Sequence, residues 1–166
     1  MCAGGLSYKF ARLLLQEFCI ADESLEKQLV SFAAIATICD IVDLMGENRA
    51  IVRKGLPEIQ KTENIGLRVL IEEAGLADKV VSDYHIGFII GPCINATGRL
   101  ESGRQAVALF CSKNESEARE MAKNLVLIFL GEFSWGYLPF HLCGINILLI
   151  FFDIFKQTKV VRSFLY

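Results

Sequence analysis

The amino-acid composition changes abruptly near residue 128, and this break limits how much of the chain can share one ordinary globular core. Residues 129–166 contain ten of the 17 aromatic side chains but only five of the 36 charged ones. Residues 1–128 carry the remaining charges, and a segment of that length can bury a sizeable core. We therefore predict one folded body over residues 1–128 and a separate hydrophobic tail over residues 129–166.

Net charge and cysteine spacing exclude several classes of protein. A formal net charge of −2 argues against a surface built throughout for nucleic acid, although it leaves room for a local basic site. The six cysteines lie far apart, without CxxC spacing or a Cys/His ligand pattern. Scattered single thiols with no signal peptide ahead of them are typical of reduced core cysteines. We therefore expect a cytoplasmic protein rather than a disulfide-stabilised one.

The tail contains one stretch, Tyr137–Phe155, that is long enough to consider as a membrane span. A spanning helix needs about 20 predominantly apolar residues. Pro139, His141 and Asn146 interrupt the stretch, and polar groups are costly in hydrocarbon. Two interpretations follow: a C-terminal anchor of a small membrane protein, or a segment that does not fold with the rest, such as a frameshifted end. We favour the second and expect no membrane partner.

Helical periodicity and capping residues predict that the body is mostly helical. The first helix, Leu6–Phe18, carries an apolar stripe. A second helix, with Ser24 as its candidate cap, is expected to run into the apolar run Ala33–Val42, and Asn64 is expected to cap a short helix, Ile65–Ala74. Ser82 or Asp83 is expected to cap the apolar stretch His85–Ile90. The other helices are expected over Arg49–Gln60, Gln105–Cys111 and Glu115–Leu127. The run Ala33–Val42 fits either the end of a buried helix or a buried strand. Gly91-Pro92 is expected to end an apolar segment, and a polar loop is expected over Asn95–Gly103.

Asp40 is the first candidate functional residue, because it is the one charged residue in the run Ala33–Val42. A carboxylate surrounded by apolar residues has a large desolvation cost unless it is paired or bound to a cation. Carboxylate oxygens suit Mg²⁺ and Mn²⁺, so a metal ligand is one interpretation. A helix-end cap, or an ion pair with Arg49 or Arg53, is the other interpretation.

The segment Gly91–Arg104 is the second candidate site. Its glycines allow close backbone approach, Asn95 and Thr97 supply hydrogen-bonding groups, and Arg99 offers a planar fork that matches phosphate. It lacks the GKS/T ending of a P-loop and is not a dinucleotide fingerprint. The residues are consistent with a phosphate-contacting loop or with an ordinary solvated turn.

Three stretches together resemble one known family: AAIATICDIVDLMGENRAIVRKGL, NIGLRVLIEEAG and YHIGFIIGPCINATGRLESGRQAVALF. In this order they resemble the RecJ-type single-strand-specific exonucleases of the DHH phosphoesterase superfamily, from Cys2 to about Leu127. The resemblance implies a 5′→3′ exonuclease acting on single-stranded DNA, with Mn²⁺ or Mg²⁺ as cofactor. It implies that Asp40 is a metal ligand and catalytic residue, and that Asn95, Gly98 and Arg99 contact the DNA backbone.

The resemblance also implies a fold class, a mainly α fragment of the α/β DHH phosphoesterase fold. We expect residues 1–63 to be the C-terminal part of a DHH-type catalytic domain and residues 64–128 a helical connection toward a second domain. The DxD, DHH and glycine-rich histidine motifs of the family are not found in the sequence. We therefore expect an internal fragment without nuclease activity of its own; the alternative is a non-catalytic module that binds phosphate or nucleic acid.

Overall fold

All regular secondary structure in the described residues is helical. The computed structural model describes the backbone of residues 1–100 and 104–134 and the side chains of residues 1–95 and 104–131. The helices are α1 (Ala3–Glu17), α2 (Glu23–Cys39), α3 (Gly46–Gln60), α4 (Ile65–Glu73), α5 (Asp83–His85), a π-helical turn (Ile86–Ile90), α6 (Gly91–Leu100), α7 (Arg104–Cys111) and α8 (Glu115–Ser134). No β-strand occurs within these ranges, so the run Ala33–Val42 is the end of a buried helix and the turn after it.

The long helix α2 lies at the centre of the body and packs closely on α3. Its side-chain cap is Asp22, whose carboxylate accepts a hydrogen bond from the Leu25 N–H at 2.9 Å. The expected cap at Ser24 is therefore wrong; the Ser24 hydroxyl donates to Glu63 instead, at 2.8 Å. A Cβ added to Gly55 of α3 would lie 2.6 Å from a backbone carbonyl oxygen of α2. The absence of a side chain at Gly55 therefore sets how closely the two helices approach.

The apolar stripe of α1 faces outward, contrary to the usual expectation for such a stripe. Leu6, Phe10 and Leu13 are each about 60% exposed, whereas Tyr8, Ala11 and Leu15 are buried. Exposed salt bridges join α1 to two neighbouring helices: Lys9 Nζ lies 2.7 Å from Glu47 and Arg12 Nε 3.6 Å from Glu26. The packing of α1 thus uses a face other than the predicted apolar stripe.

Helices α4, α7 and α8 form the second half of the body. Asn64 caps α4 as expected, accepting from the Leu67 N–H at 2.9 Å, and its amide also donates to the Phe110 carbonyl of α7 at 2.8 Å. Arg119 of α8 binds three carboxylates, Glu72, Glu73 and Glu115, at 2.7 to 3.1 Å. Because Arg68 and Arg119 hydrogen-bond Glu115, the pKa of this carboxyl lies below its ordinary value.

Gly91-Pro92 does not end a helix, which corrects the expectation from the sequence. Ser82 caps the short helix α5, and the backbone then continues through the π-helical turn into α6. In that turn the Gly91 N–H donates to the Ile86 carbonyl five residues earlier. Proline is tolerated here because the widened turn re-routes the hydrogen bonds that a proline interrupts in a regular α-helix. Residues 95–100, expected as a loop, are therefore helical.

One hydrophobic core runs through residues from α1 to α8. Helix α8 crosses the predicted boundary at residue 128, because it continues to Ser134 and Phe129 packs against this core. No helix of the described residues has the length and apolar character needed to cross a membrane. The candidate anchor Tyr137–Phe155 lies outside the described residues.

Candidate metal ligand and nucleic-acid interface

Asp40 occupies the C-cap position of α2 and is partly exposed. Its N–H donates to the Ala36 carbonyl at 2.9 Å, which continues the helical hydrogen bonding by one residue. Asp40 therefore stands at the end of helix α2. The C-terminal end of a helix carries a partial negative charge, which makes a carboxylate unfavourable there and a cation favourable. The position thus creates local negative potential, whereas an ion pair with Arg49 or Arg53 stays a prediction.

The residue after Asp40 has an unusual backbone conformation. Ile41 adopts φ of +51°, in the left-handed region, and its side chain is 71% exposed. This region is rare for β-branched residues and costs about 1–3 kcal/mol where they adopt it. Asn48, at the start of α3, donates from Nδ2 to the Asp43 carbonyl at 2.8 Å and so holds the connecting segment. The hydrogen bond from Asn48 thus holds the segment that follows Asp40, and Ile41 in that segment is strained.

The end of α2 lies directly against the π-helical turn and the start of α6. The Cys39 thiol is buried and lies 3.8 Å from the Ile86 carbonyl oxygen. A Cβ added to Gly91 would collide with Cys39 Sγ and lie 3.0 Å from the Ile86 oxygen. The residue before Asp40 and the first residue of α6 are therefore in van der Waals contact, and the helices carrying the two sequence motifs meet here.

The three residues expected to contact DNA lie on α6. Asn95, Gly98 and Arg99 are spaced by three and four residues, a spacing that places helix positions on one side. Asn95 is 6% exposed, and its Oδ1 has no hydrogen-bond partner within the described part of the chain. The Arg99 side chain lies outside the described side chains, so a phosphate contact by Arg99 stays a prediction.

The described residues do not form a complete metal site. Within them, no three His, Cys, Asp or Glu side chains come together in a way that could hold a metal ion. Asp40 by itself has the chemistry of a ligand for a hard cation, because it adds a carboxylate to the negative end of a helix. This part of the chain can therefore supply one ligand, and no reaction step follows from that residue alone.

His85 and Cys93 have structural roles. The His85 Nδ1 accepts from the Ser82 N–H at 3.1 Å and completes the capping box of α5. Cys93 is fully buried in the core, and burial raises the pKa of its thiol to about 12. The neutral thiol is a weak nucleophile at neutral pH.

Sequence reasoning missed a groove between the end of α2 and the α5–π-helical segment. Its volume is about 430 Å³, and its walls are mostly apolar. Two exposed aromatic side chains on one wall, Tyr84 and Phe88, stack with ring centroids 4.9 Å apart. Their spacing of four residues places both on one helix face, a signal that was missed because the predicted apolar stretch His85–Ile90 begins after Tyr84.

Part of the chain is similar in sequence to curated RecJ proteins. It is 36% identical over 121 residues to the single-stranded-DNA-specific exonuclease RecJ of Bacillus subtilis, a match that covers 73% of this chain and 14% of that protein. The Thermus thermophilus RecJ is 36% identical over 98 residues, and the Escherichia coli RecJ is 32% identical over 99 residues. The chain thus spans about one seventh to one sixth of the length of these relatives. No protein-family model matches the chain.

Solved structures give the same result. RecJ from Thermus thermophilus in complex with Mg²⁺ superposes with a TM-score of 0.63 at 29% identity, over 73% of this chain and 19% of that one. A structure of exonuclease RecJ bound to manganese gives a TM-score of 0.62 and covers 30% of that chain. The Bacillus subtilis sequence match and the structural superpositions each cover 73% of this chain. Together they show that this chain contains a RecJ-like region.

Proposed function

We propose that this chain is part of a RecJ-like 5′→3′ exonuclease acting on single-stranded DNA. The main support for the proposal is the contact between the end of α2 and the start of α6. This contact brings together, in one RecJ-like unit, the helix that ends at Asp40 and the helix that contains Asn95. The relatives are described as single-stranded-DNA-specific exonucleases, and two solved RecJ structures contain Mg²⁺ or Mn²⁺.

In this proposal Asp40 is one ligand of a Mg²⁺ or Mn²⁺ ion. The ion would polarise a phosphodiester and supply an activated water, which is the chemistry that such ions contribute to nucleases. The C-cap position of Asp40 supports this role, because a bound cation would offset both the carboxylate and the negative end of α2. The remaining ligands would come from residues other than those described.

Helix α6 is proposed to hold the DNA backbone. Asn95, Gly98 and Arg99 stand on neighbouring positions of this helix, which starts against the residue before Asp40. A guanidinium matches a phosphate with two parallel hydrogen bonds and stays charged at any working pH.

The division of the body at residue 63 and a cytoplasmic location are part of the same proposal. The chain by itself is proposed to be inactive, since one carboxylate does not hold the metal ions that phosphodiester hydrolysis uses. Purified chain incubated with Mn²⁺ and single-stranded DNA should therefore release no mononucleotides. The fold class proposed for the complete protein is the α/β DHH phosphoesterase fold, of which this is a helical part.

The DNA-backbone contact is tested by the salt dependence of binding. Arg99→Ala should weaken the binding of single-stranded oligonucleotides to a similar extent for different sequences, because phosphates carry no base identity. The slope of log K against log salt should fall by about one unit. The control is Arg53→Ala, which removes the same charge from an exposed position on α3. A changed melting temperature with an unchanged slope for Arg99→Ala would contradict the phosphate contact.

A further inference from the structure

Asn48 is a buried residue whose side-chain hydrogen bond serves the connection after Asp40. It is the third residue of α3, which follows the N-cap Met45, and it is 9% exposed. A polar side chain at this position of a helix usually reaches back with an oxygen to the N–H of the N-cap residue. Asn48 instead donates from Nδ2 to the Asp43 carbonyl at 2.8 Å, and its Oδ1 has no partner within the described residues. The bond to Asp43 is therefore not an ordinary helix cap.

The connection that Asn48 holds, residues 41–45, is largely exposed. Four of its five side chains are exposed, and the other, Val42, packs against the core. At the near end, the Asp40 N–H donates to the Ala36 carbonyl at 2.9 Å and so belongs to α2. At the far end, the hydrogen bond from Asn48 ties the connection to α3. The backbone that leaves Asp40 is thus held from both of the helices that it joins.

We propose that Asn48 is a positioning residue for the metal ligand Asp40, an inference that rests on the proposed function. A carboxylate binds a cation more tightly when its position is already restricted, because less conformational freedom is then lost on binding. Asn48 acts through the backbone three residues after Asp40 and is not itself a ligand. Loss of its hydrogen bond allows Asp40 more positions and therefore weakens the binding of Mn²⁺.

Asn64 provides a matched control for this hydrogen bond. Its Nδ2 also donates to a backbone carbonyl at 2.8 Å, that of Phe110, and Asn64 is 8% exposed. Replacement of either asparagine by aspartate removes the donor and keeps the shape of the side chain. An effect common to both substitutions therefore reports a change in stability, whereas a difference between them reports on the connection beside Asp40.

The test measures Mn²⁺ binding by electron paramagnetic resonance of the free ion. It uses a chimera in which residues 1–134 replace the matching segment of Thermus thermophilus RecJ. Asn48→Asp should raise the Mn²⁺ dissociation constant by about 10- to 100-fold, and Asn64→Asp should leave it unchanged. The carboxylate added by Asn48→Asp would by itself strengthen cation binding, so weaker binding has to come from the lost hydrogen bond. Asn48→Ala adds no charge and should weaken binding in the same way.

A second measurement uses the full chain without metal. The Ile41 N–H donates to the Ile38 carbonyl at 3.2 Å, so its hydrogen exchange reports opening of the connection next to Asp40. Asn48→Asp should accelerate this exchange by about 2- to 10-fold, as expected for the loss of one hydrogen bond, and Asn64→Asp should not. Unchanged exchange in the Asn48→Asp variant would overturn the proposal.

Asp40→Asn in the chimera separates this proposal from the proposed function. If Asp40→Asn weakens Mn²⁺ binding and Asn48→Asp does not, Asp40 is a ligand and the positioning role of Asn48 is overturned. If neither substitution changes Mn²⁺ binding, the metal role of Asp40 is overturned together with the positioning role. Equal weakening by Asn48→Asp and Asn64→Asp would also overturn the positioning role, because it would show a general loss of stability.

Discussion

Ile41 shows how one residue can shape the surroundings of the proposed metal ligand. It follows the C-cap of α2 with φ of +51°, where glycine is the usual choice. Cys19 occupies the equivalent place after α1, with φ of +53°, and the hydrogen bond from the Ile20 N–H to the Leu15 carbonyl closes that helix end. Both helices thus end with a residue in the left-handed conformation. After α2 this residue is Ile41, which is β-branched and lies next to Asp40.

Replacing Ile41 by glycine should stabilise the fold. The left-handed conformation costs an L-residue about 1–2 kcal/mol, and glycine avoids this cost while adding about 0.5–1 kcal/mol of unfolded-state entropy. Since the Ile41 side chain is 71% exposed, little burial is lost. We expect Ile41→Gly to raise the free energy of unfolding by up to about 1 kcal/mol, measured by urea denaturation. Cys19→Gly should act in the same direction, and a lower midpoint for Ile41→Gly would contradict the strain.

Single residues were predictable where the signal is local. Asn64 caps α4 as expected, because the capping signal lies next to the helix that it begins. The role of Asp40, which its isolation in an apolar run suggested, stays a prediction. The strain at Ile41 could not be predicted, because nothing in the sequence distinguishes this isoleucine from its apolar neighbours. The outward stripe of α1 was missed for a related reason: periodicity shows that a helix has an apolar face but not which partner covers it.

At the scale of elements, the main feature is the junction between α2, the π-helical turn and α6. The sequence suggested a break at Gly91-Pro92, since proline and glycine usually interrupt helices. The structure instead uses Gly91 for close packing against Cys39. The hydrogen bond from the Gly91 N–H to the Ile86 carbonyl makes the extra turn in which proline can follow. Such π-helical turns depend on tertiary packing, so local signals do not reveal them.

Gly91→Ala should therefore destabilise the fold although alanine favours helices. The added methyl group would overlap Cys39 Sγ, and overpacking of this kind costs about 1–3 kcal/mol. The control, Gly131→Ala on α8, adds a methyl group with nothing within 4 Å and should be neutral or slightly stabilising. Chemical denaturation measures both changes. Combining Gly91→Ala with Cys39→Ala should restore part of the lost stability, and a strictly additive double variant would contradict the packing.

At the scale of the whole molecule, the mainly helical class of the body was predictable, because caps and apolar periodicity are local signals. Helix α8 crosses the predicted boundary at residue 128: it runs to Ser134, and Phe129 packs against the core. The division of the chain at that boundary stays a prediction. The expectation that the chain lacks further metal ligands rests on the family resemblance rather than on physical reasoning, and it also stays a prediction.

Removal of residues 135–166 should increase the soluble yield of the chain, because this segment is rich in aromatic side chains and poor in charge. The yield is measured after ultracentrifugation of the expressed protein. A shorter chain that ends at residue 128 should be less stable than one that ends at residue 134, because it lacks Phe129. A loss of soluble yield on removing residues 135–166 would show instead that this segment packs against the body.

The central claim is that Asp40 belongs to a metal-dependent nuclease centre completed by the rest of a RecJ-like protein. The direct measurement inserts residues 1–134 in place of the matching segment of Thermus thermophilus RecJ and follows Mn²⁺-dependent release of mononucleotides from single-stranded DNA. Asp43→Asn is the control, an exposed carboxylate three residues away. The chimera and its Asp43→Asn variant should be active, and Asp40→Asn should lower the rate by more than about 100-fold without changing the melting temperature. An Asp40→Asn chimera as active as the unsubstituted one would contradict the claim.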